Sequence, residues 1–218
     1  MLELIVPAGV HSEECFGTAS DAALFPEEEK IIAHAVPERR REYAAVRGCA
    51  RACLGRLGHP PGPILPGAGG APTWPAGICG SLTHCPGYAA AAVAPTTQIA
   101  GIGIDAEPDA PLPEGVLEVI ATPAEHHHLA TIQSEFGGPH WDRLLFSAKE
   151  ALYKAWFPLV GEWLDHQEVE IVFEPQDGAF AALLSRDDLI INNHPIHRLH
   201  GRWTHNHDIL VTAVVVPG

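Results

Sequence analysis

Two charged clusters about forty residues apart carry the chemistry of this chain, GIGIDAE (101–107) and FSAKEALYKAW (146–156). In the first, Asp105 and Glu107 stand at the exit of an apolar run that reads as a β-strand. Residues two apart on a strand point to one face, so both carboxylates look into one space. In the second, Glu150 and Lys154 are four residues apart on an expected amphipathic helix and share a face. Three carboxylates converging beside an ammonium suit a hard divalent cation and a polyphosphate bound to it. Each cluster alone is ordinary. Glu–Lys pairs at this spacing also serve surface stability, and a strand ending in Asp-x-Glu is also a solvated turn entrance. Gly101 and Gly103 make no dinucleotide fingerprint, because a third glycine is missing and the acids that follow repel a pyrophosphate without a metal. The combination is what is specific.

The elements that must hold these clusters read as follows. A short strand is expected over 2–6, a helix over 25–35 with acids in its first turn, and a longer helix over 37–58 with Pro37 near its start and Gly58 near its end. A Pro/Gly-rich loop covers 59–77, and strand-like runs follow at 78–83, 87–94 and 99–105. EPDAPLPEG (107–115) reads as a linker, which divides the chain into residues 1–107 and 108–218. Helices at about 115–134 and 139–157 then precede strands at 167–173, 179–184 and 208–216. Each half thus offers helices followed by three strands, without strict βα alternation. The expected fold is α+β, a pseudo-dimer of two similar α/β halves with the active site in the cleft between them.

The 218 residues suffice for a substantial core, and no apolar run reaches the roughly 18 residues that span a membrane. The N-terminal apolar run lacks a basic leader and meets acid at once, a poor secretion signal. Five cysteines form no CxxC, and Cys49 and Cys53 share a face of the second helix as small buried apolar residues. The chain reads as reduced and cytoplasmic. A formal charge of −14 argues against nucleic-acid binding, but it is unevenly spread. Residues 39–56 hold Arg39, Arg40, Arg41, Arg47, Arg51 and Arg56 against Glu42, a balance of +5 that leaves the rest at −19. Such a face suits a phosphate or an acidic partner, or is simply solvated. His126, His127 and His128 diverge around a helix and cannot share one metal.

Taken together, RRREYAAVR, GSLTHCPGYAAAAVA, GIGIDAEP and WDRLLFSAKEALYKAW, in that order, resemble the surfactin/enterobactin-type 4′-phosphopantetheinyl transferases, and among these the actinobacterial members. The resemblance implies transfer of the phosphopantetheine arm of coenzyme A to a serine of an apo acyl or peptidyl carrier protein, with release of adenosine 3′,5′-bisphosphate. Resemblance and spacing together assign Asp105, Glu107 and Glu150 to Mg²⁺, with Mn²⁺ as a substitute. Glu150 is also a candidate for taking the serine proton, directly or through a metal-bound water, and the sequence leaves both routes open. Lys154 is assigned to the pyrophosphate, with Lys149 assisting. Arg39 and Arg47 match the basic residues that carry the coenzyme A phosphates, and His84, with Thr83 beside it, is expected at a phosphate. The catalytic set is therefore Glu150, Lys154 and Asp105. Trp163 is expected either as a wall of the pantetheine channel or in the core. The implied partners are coenzyme A and acidic carrier proteins, with a monomer as the working unit, no nucleic acid and no membrane.

One departure stands out. Relatives commonly carry a lysine in the loop after the arginine helix, where this chain has Pro66, and no other Lys or Arg lies between Arg56 and Arg143. Backbone N–H groups around Gly67 and Gly69 are expected to substitute, with weaker coenzyme A binding. Two other functions use the same residues: a Mg²⁺-dependent phosphohydrolase acting on coenzyme A or a nucleotide, and a non-catalytic module that binds coenzyme A or a carrier.

Overall fold

The computed structural model describes residues 1–17, 22–187, 189–191, 194–206 and 208–218. The chain opens on a 3-10 turn at Leu2–Leu4 where a strand was expected. Strand β1 (His11–Phe16), helices α1 (Pro26–Ile31) and α2 (Pro37–Arg56), and the hairpin of β2 (Ile78–Cys85) and β3 (Tyr88–Pro95) follow. These strands form one antiparallel sheet in the order β1-β3-β2. β3 is buried on both sides, which explains its run of alanines. Ala91 and Val93 pack under Cys49, Ala50, Cys53 and Leu54 of α2, while Ala90, Ala92 and Ala94 face the opposite way. Small side chains let both layers approach without voids.

The remainder comprises β4 (Ile99–Pro108), α3 (Val116–Ile120), α4 (Pro123–Phe136), α5 (Trp141–Val160), β5 (Val169–Glu174), β6 (Ala179–Leu184), the short pair β7 (Ile190–Ile191) and β8 (His194–Pro195), β9 (Arg198–His205) and β10 (Ile209–Pro217). Five of these strands build a second antiparallel sheet, β4-β10-β9-β6-β5. Its first face carries Ile102, Ile104 and Ala106 of β4 with Val211 and Ala213 of β10, packed on the alanines of β3. Its second face is covered by α5, whose Leu144, Ala148, Leu152 and Trp156 join Ile171, Phe180, Leu210 and Val214 in the largest core. Antiparallel sheets and helices together make the architecture α+β, as the patterning implies. Among the described residues no helix is long and apolar enough to cross a membrane.

Three further elements differ from expectation. The run 99–105 does not complete the first sheet. It pairs with β10, in register from Gly101↔Val216 to Glu107↔Leu210, and β1 fills the vacant place beside β3. The helix expected over 115–134 breaks at Ala121–Thr122, because TPAE is a capping box. Thr122 Oγ1 accepts from the Glu125 N–H at 3.2 Å, and Glu125 Oε2 accepts from the Thr122 N–H at 2.7 Å. β9 hides its alternation behind outward Arg and His residues, with Leu199, Gly201 and Trp203 turned inward.

The two sheets meet at β2 and β4, both of them edges. Ser81 Oγ accepts from the Ile104 N–H at 3.1 Å, and Thr83 Oγ1 from the Ala106 N–H at 2.9 Å. Side-chain hydroxyls thus replace a strand partner, and the buried backbone groups stay satisfied across the junction.

Candidate functional site

The strand β4 shows α5 a face made of Gly101, Gly103, Asp105 and Glu107. The two glycines set the distance. A Cβ on Gly103 would lie 1.8 Å from the Ala151 carbonyl oxygen, and one on Gly101 would lie 2.9 Å from Leu159 Cδ1. The helix therefore rests on bare backbone. Glu150 and Lys154, on either side of Ala151 along the helix, arrive beside Asp105. Lys154 Nζ donates to Asp105 Oδ1 at 2.7 Å and to the Ile104 carbonyl at 3.2 Å. The glycine pair seen in the sequence serves close helix packing rather than a nucleotide turn.

The carboxylates are held under tension. Asp105 is 5 % exposed, and its Oδ2 is buried without a hydrogen-bond partner among the described residues. Its Oδ1 is shared by Lys154 and, at 3.4 Å, the Thr83 hydroxyl. Burial, and then the charge of Asp105, push the carboxyl of Glu150 above its ordinary value, with Lys154 opposing. The same two causes raise Glu107, against Arg143 and Lys154. Mutual repulsion in a half-dry site is the state a cation relieves. All donors are hard oxygens, and the unpaired Asp105 Oδ2 is an atom that a divalent ion would satisfy, so the residues fit Mg²⁺. Among the described residues no three such side chains converge into a ready-made metal cage. Glu107 is engaged elsewhere, its Oε2 accepting from Arg143 Nη1 at 2.9 Å. Arg143 also donates to the carbonyls of Ala110 and Pro111, pinning the segment after β4. No role for Arg143 was read from the sequence, and its place inside an amphipathic helix gave no signal.

Facing this centre is a cavity of about 710 Å³, lined by Arg39, Tyr43 and Arg47 of α2, by Thr83 and His84 of β2, and by Asp105, Glu150 and Lys154. Arg39 Nη1 contacts His84 Nε2, and Glu42 lies 3.4 Å from Arg39 and 3.5 Å from His84 Nδ1. Burial and the Arg39 charge hold His84 below its ordinary value, as a neutral ring. Arg47 is 8 % exposed, stacks 3.2 Å above the Tyr43 ring centroid, and donates to the Ile64 carbonyl at 3.3 Å. The loop 66–72 forms the far wall. Gly69, at φ +59°, fits there because a side chain would strike the Phe157 ring 2.4 Å away.

Several expectations need correction. Lys149 is not at the phosphate cavity. It is 2 % exposed, and its Nζ is held by Glu125 Oε2 at 2.8 Å and by the carbonyls of Ile120, His166 and Val169 at 2.7, 2.7 and 3.2 Å. A helix turns about 100° per residue, which points neighbours Lys149 and Glu150 in different directions. Thr83 does line the cavity beside His84, and its hydroxyl also accepts from the Ala106 N–H and donates to Asp105. The arginine face is largely neutralised from within: Arg40 pairs with Glu29, Arg51 with Glu28, and Arg56 with Glu13. The Gly67 N–H is committed to the Ala71 carbonyl at 2.7 Å and offers nothing to a phosphate. Trp163 is 62 % exposed and leans on the Tyr153 ring at a tilt, so it is no core residue. It lines a hollow of about 90 Å³ beside Glu150.

Comparison with known proteins gives the family. Residues 27–94 match the 4′-phosphopantetheinyl transferase N-terminal domain, and residues 101–208 match the 4′-phosphopantetheinyl transferase superfamily. The chain is 47 % identical to the 4′-phosphopantetheinyl transferase Svp of Streptomyces mobaraensis, over 99 % of this chain and 89 % of that one. It is 45 % identical to Npt of Nocardia iowensis, over 98 % of this chain and 99 % of the relative. PptT of Mycobacterium tuberculosis is 41 % identical, over 97 % and 96 % respectively. Matched by both domain models and by relatives over nearly its whole length, this chain belongs to the 4′-phosphopantetheinyl transferase family and is similar to actinobacterial members of it.

Proposed function

We propose that the cavity binds coenzyme A and that the Asp105–Glu150–Lys154 centre transfers its phosphopantetheine, with Mg²⁺, to a serine of an acidic acyl or peptidyl carrier protein. The observation that carries this reading is the buried Asp105 carboxylate, its Oδ1 bound to Lys154 and its Oδ2 without a partner among the described residues, in a cavity also lined by Glu150, Arg39, Arg47 and His84. Asp105 and Glu150 would hold the ion, with Glu107 joining when it leaves Arg143. Bound there, Mg²⁺ would supply charge for the pyrophosphate oxygens.

In the reaction the serine oxygen attacks the phosphorus attached to pantetheine. The bond from that phosphorus to the bridging oxygen breaks, and adenosine 3′,5′-bisphosphate leaves with that oxygen and the bonding pair. Glu150, made more basic by burial and by Asp105, takes the serine proton. Lys154 neutralises charge on the departing phosphate. Arg39, Arg47 and His84 hold the nucleotide end, and the exposed Trp163 with Tyr153 offers an apolar wall for the arm. Catalysis here is positioning and charge neutralisation.

Intact-mass spectrometry of an apo carrier incubated with the protein, coenzyme A and Mg²⁺ tests this. The expected result is one phosphopantetheine added, lost with chelator and lost with Glu150→Ala. Release of adenosine 3′,5′-bisphosphate while every carrier stays unmodified would replace the transferase reading with hydrolysis.

A further inference from the structure

Tyr43 stands between two arginines on one face of α2. Arg39, Tyr43 and Arg47 are spaced by four, and all three line the cavity. The tyrosine is 6 % exposed, and its hydroxyl is one of three buried side-chain atoms without a hydrogen-bond partner among the described residues. The other two are Asp105 Oδ2 and Trp203 Nε1. A buried hydroxyl left unpaired is destabilising, so it calls for an explanation. Asp105 has one, the ion expected at its side. At Tyr43 the Arg47 guanidinium acts on the hydroxyl as a donor, which leaves the phenol's own proton without an acceptor among the described residues.

The surroundings specify the missing partner. Burial raises the phenol above its ordinary value, with Arg47 opposing, so it remains protonated and acts as a donor. Guanidinium groups offer only donors, so neither Arg39 nor Arg47 can accept its proton. An anionic oxygen is the group that would satisfy a hydroxyl flanked by two arginines. Tyr43 stacks against Arg47, which is tied to the Ile64 carbonyl, while Lys154 is tied to Asp105, so the phenol belongs to the α2 wall of the cavity rather than to the Asp105 centre. The wall at Pro66 supplies no cation to that cavity.

We infer that the Tyr43 hydroxyl donates a hydrogen bond to the ribose 3′-phosphate of the bound nucleotide and makes the enzyme discriminate against 3′-dephospho-coenzyme A. This rests on the cavity being the coenzyme A site. Arg47 supplies charge to the same phosphate, and the hydroxyl adds a directional contact that exists only when the ligand is present.

Removing one atom tests it. Tyr43→Phe and the wild type are titrated calorimetrically, without carrier, with coenzyme A, adenosine 3′,5′-bisphosphate and 3′-dephospho-coenzyme A, and the ligand-free Tm of each is measured. The expected result is a Kd about tenfold weaker for the first two ligands, no change for the third, and a ligand-free Tm equal to or above wild type, because an orphaned donor has been deleted. An unchanged Kd for coenzyme A, an equal loss with the 3′-dephospho compound, or a lowered ligand-free Tm would each overturn the assignment. A wild type that binds none of the three would instead overturn the coenzyme A reading on which it stands.

Discussion

Helix α5 carries two lysines with opposite surroundings. Lys149 is enclosed by Glu125 and three carbonyls, and Glu125 in turn accepts from Thr122, Lys149 and the Ile171 N–H. Every group in that node has a partner. Lys154 sits a little over one turn later with its side chain 29 % exposed, against a carboxylate that keeps one oxygen unpaired among the described residues, beside two further carboxyls raised by burial and by repulsion. A buried charge network that is fully satisfied holds structure together, and one left incomplete is a place for a ligand. Charge content alone does not separate the two, because both contain Lys with Glu or Asp.

The widest expected separation comes from cutting the open centre. Glu150→Gln should lower carrier modification by on the order of 10³-fold while leaving Tm unchanged or slightly raised, since it removes a repelled carboxylate. A Tm collapse measured by calorimetry would erase the distinction between the two nodes. Gly103→Ala should follow, with about a 10²-fold loss of kcat, because α5 must back away from β4 and carry Glu150 with it. Rates retained in that variant would show that the close packing does not set the centre.

Cutting the closed node should do the reverse. Glu125→Gln is expected to cost about 3–5 kcal/mol of stability by leaving a buried ammonium uncompensated, with a comparatively modest effect on the KM for coenzyme A. Denaturant titration checks the first part and steady-state kinetics the second.

A smaller effect is expected from pH. Free His84 is neutral because burial and Arg39 lower its affinity for a proton, and a phosphate placed beside it favours the charged ring. Binding of coenzyme A should therefore take up a proton, and affinity should rise as pH falls through the range around the ordinary histidine value. Calorimetry in buffers of different ionisation enthalpy reads the proton, and His84→Gln should abolish its share. Smallest is Arg41→Glu, which should slow modification of an acidic carrier a few-fold at low salt and leave it unchanged at high salt. Arg40 is a poorer test, since its charge is already committed to Glu29.

Much of this was legible without coordinates. The bounds of α2, the β2–β3 hairpin and α5 follow from local signals: Pro at a first turn, Gly in tight turns, and a 3.6-residue apolar stripe. The convergence of Asp105, Glu150 and Lys154 was legible as well, because strand and helix periodicities fix which side chains share a face. β1 was missed because its HSEECF sequence looks like a solvated segment. Its Glu13 meets Arg56, and its Glu14 meets the N-terminal ammonium and Tyr88, contacts from distant residues. Helix periodicity turns Lys149 away from Glu150, and the structure encloses it with Glu125 and three carbonyls.

The sequence by itself determined the residue types of the site, their spacing, and the helices and hairpin that present them, because those depend on neighbours a few positions away. Only the tertiary structure decided that β4 leaves its neighbours for β10, that Arg143 holds Glu107, that Lys149 is walled in, and that the Asp105 Oδ2 and the Tyr43 proton are left unmatched among the described residues. These are outcomes of packing between residues far apart in the chain. Whether a polar group finds a partner there depends on every surface that closes around it, and no local pattern encodes that sum.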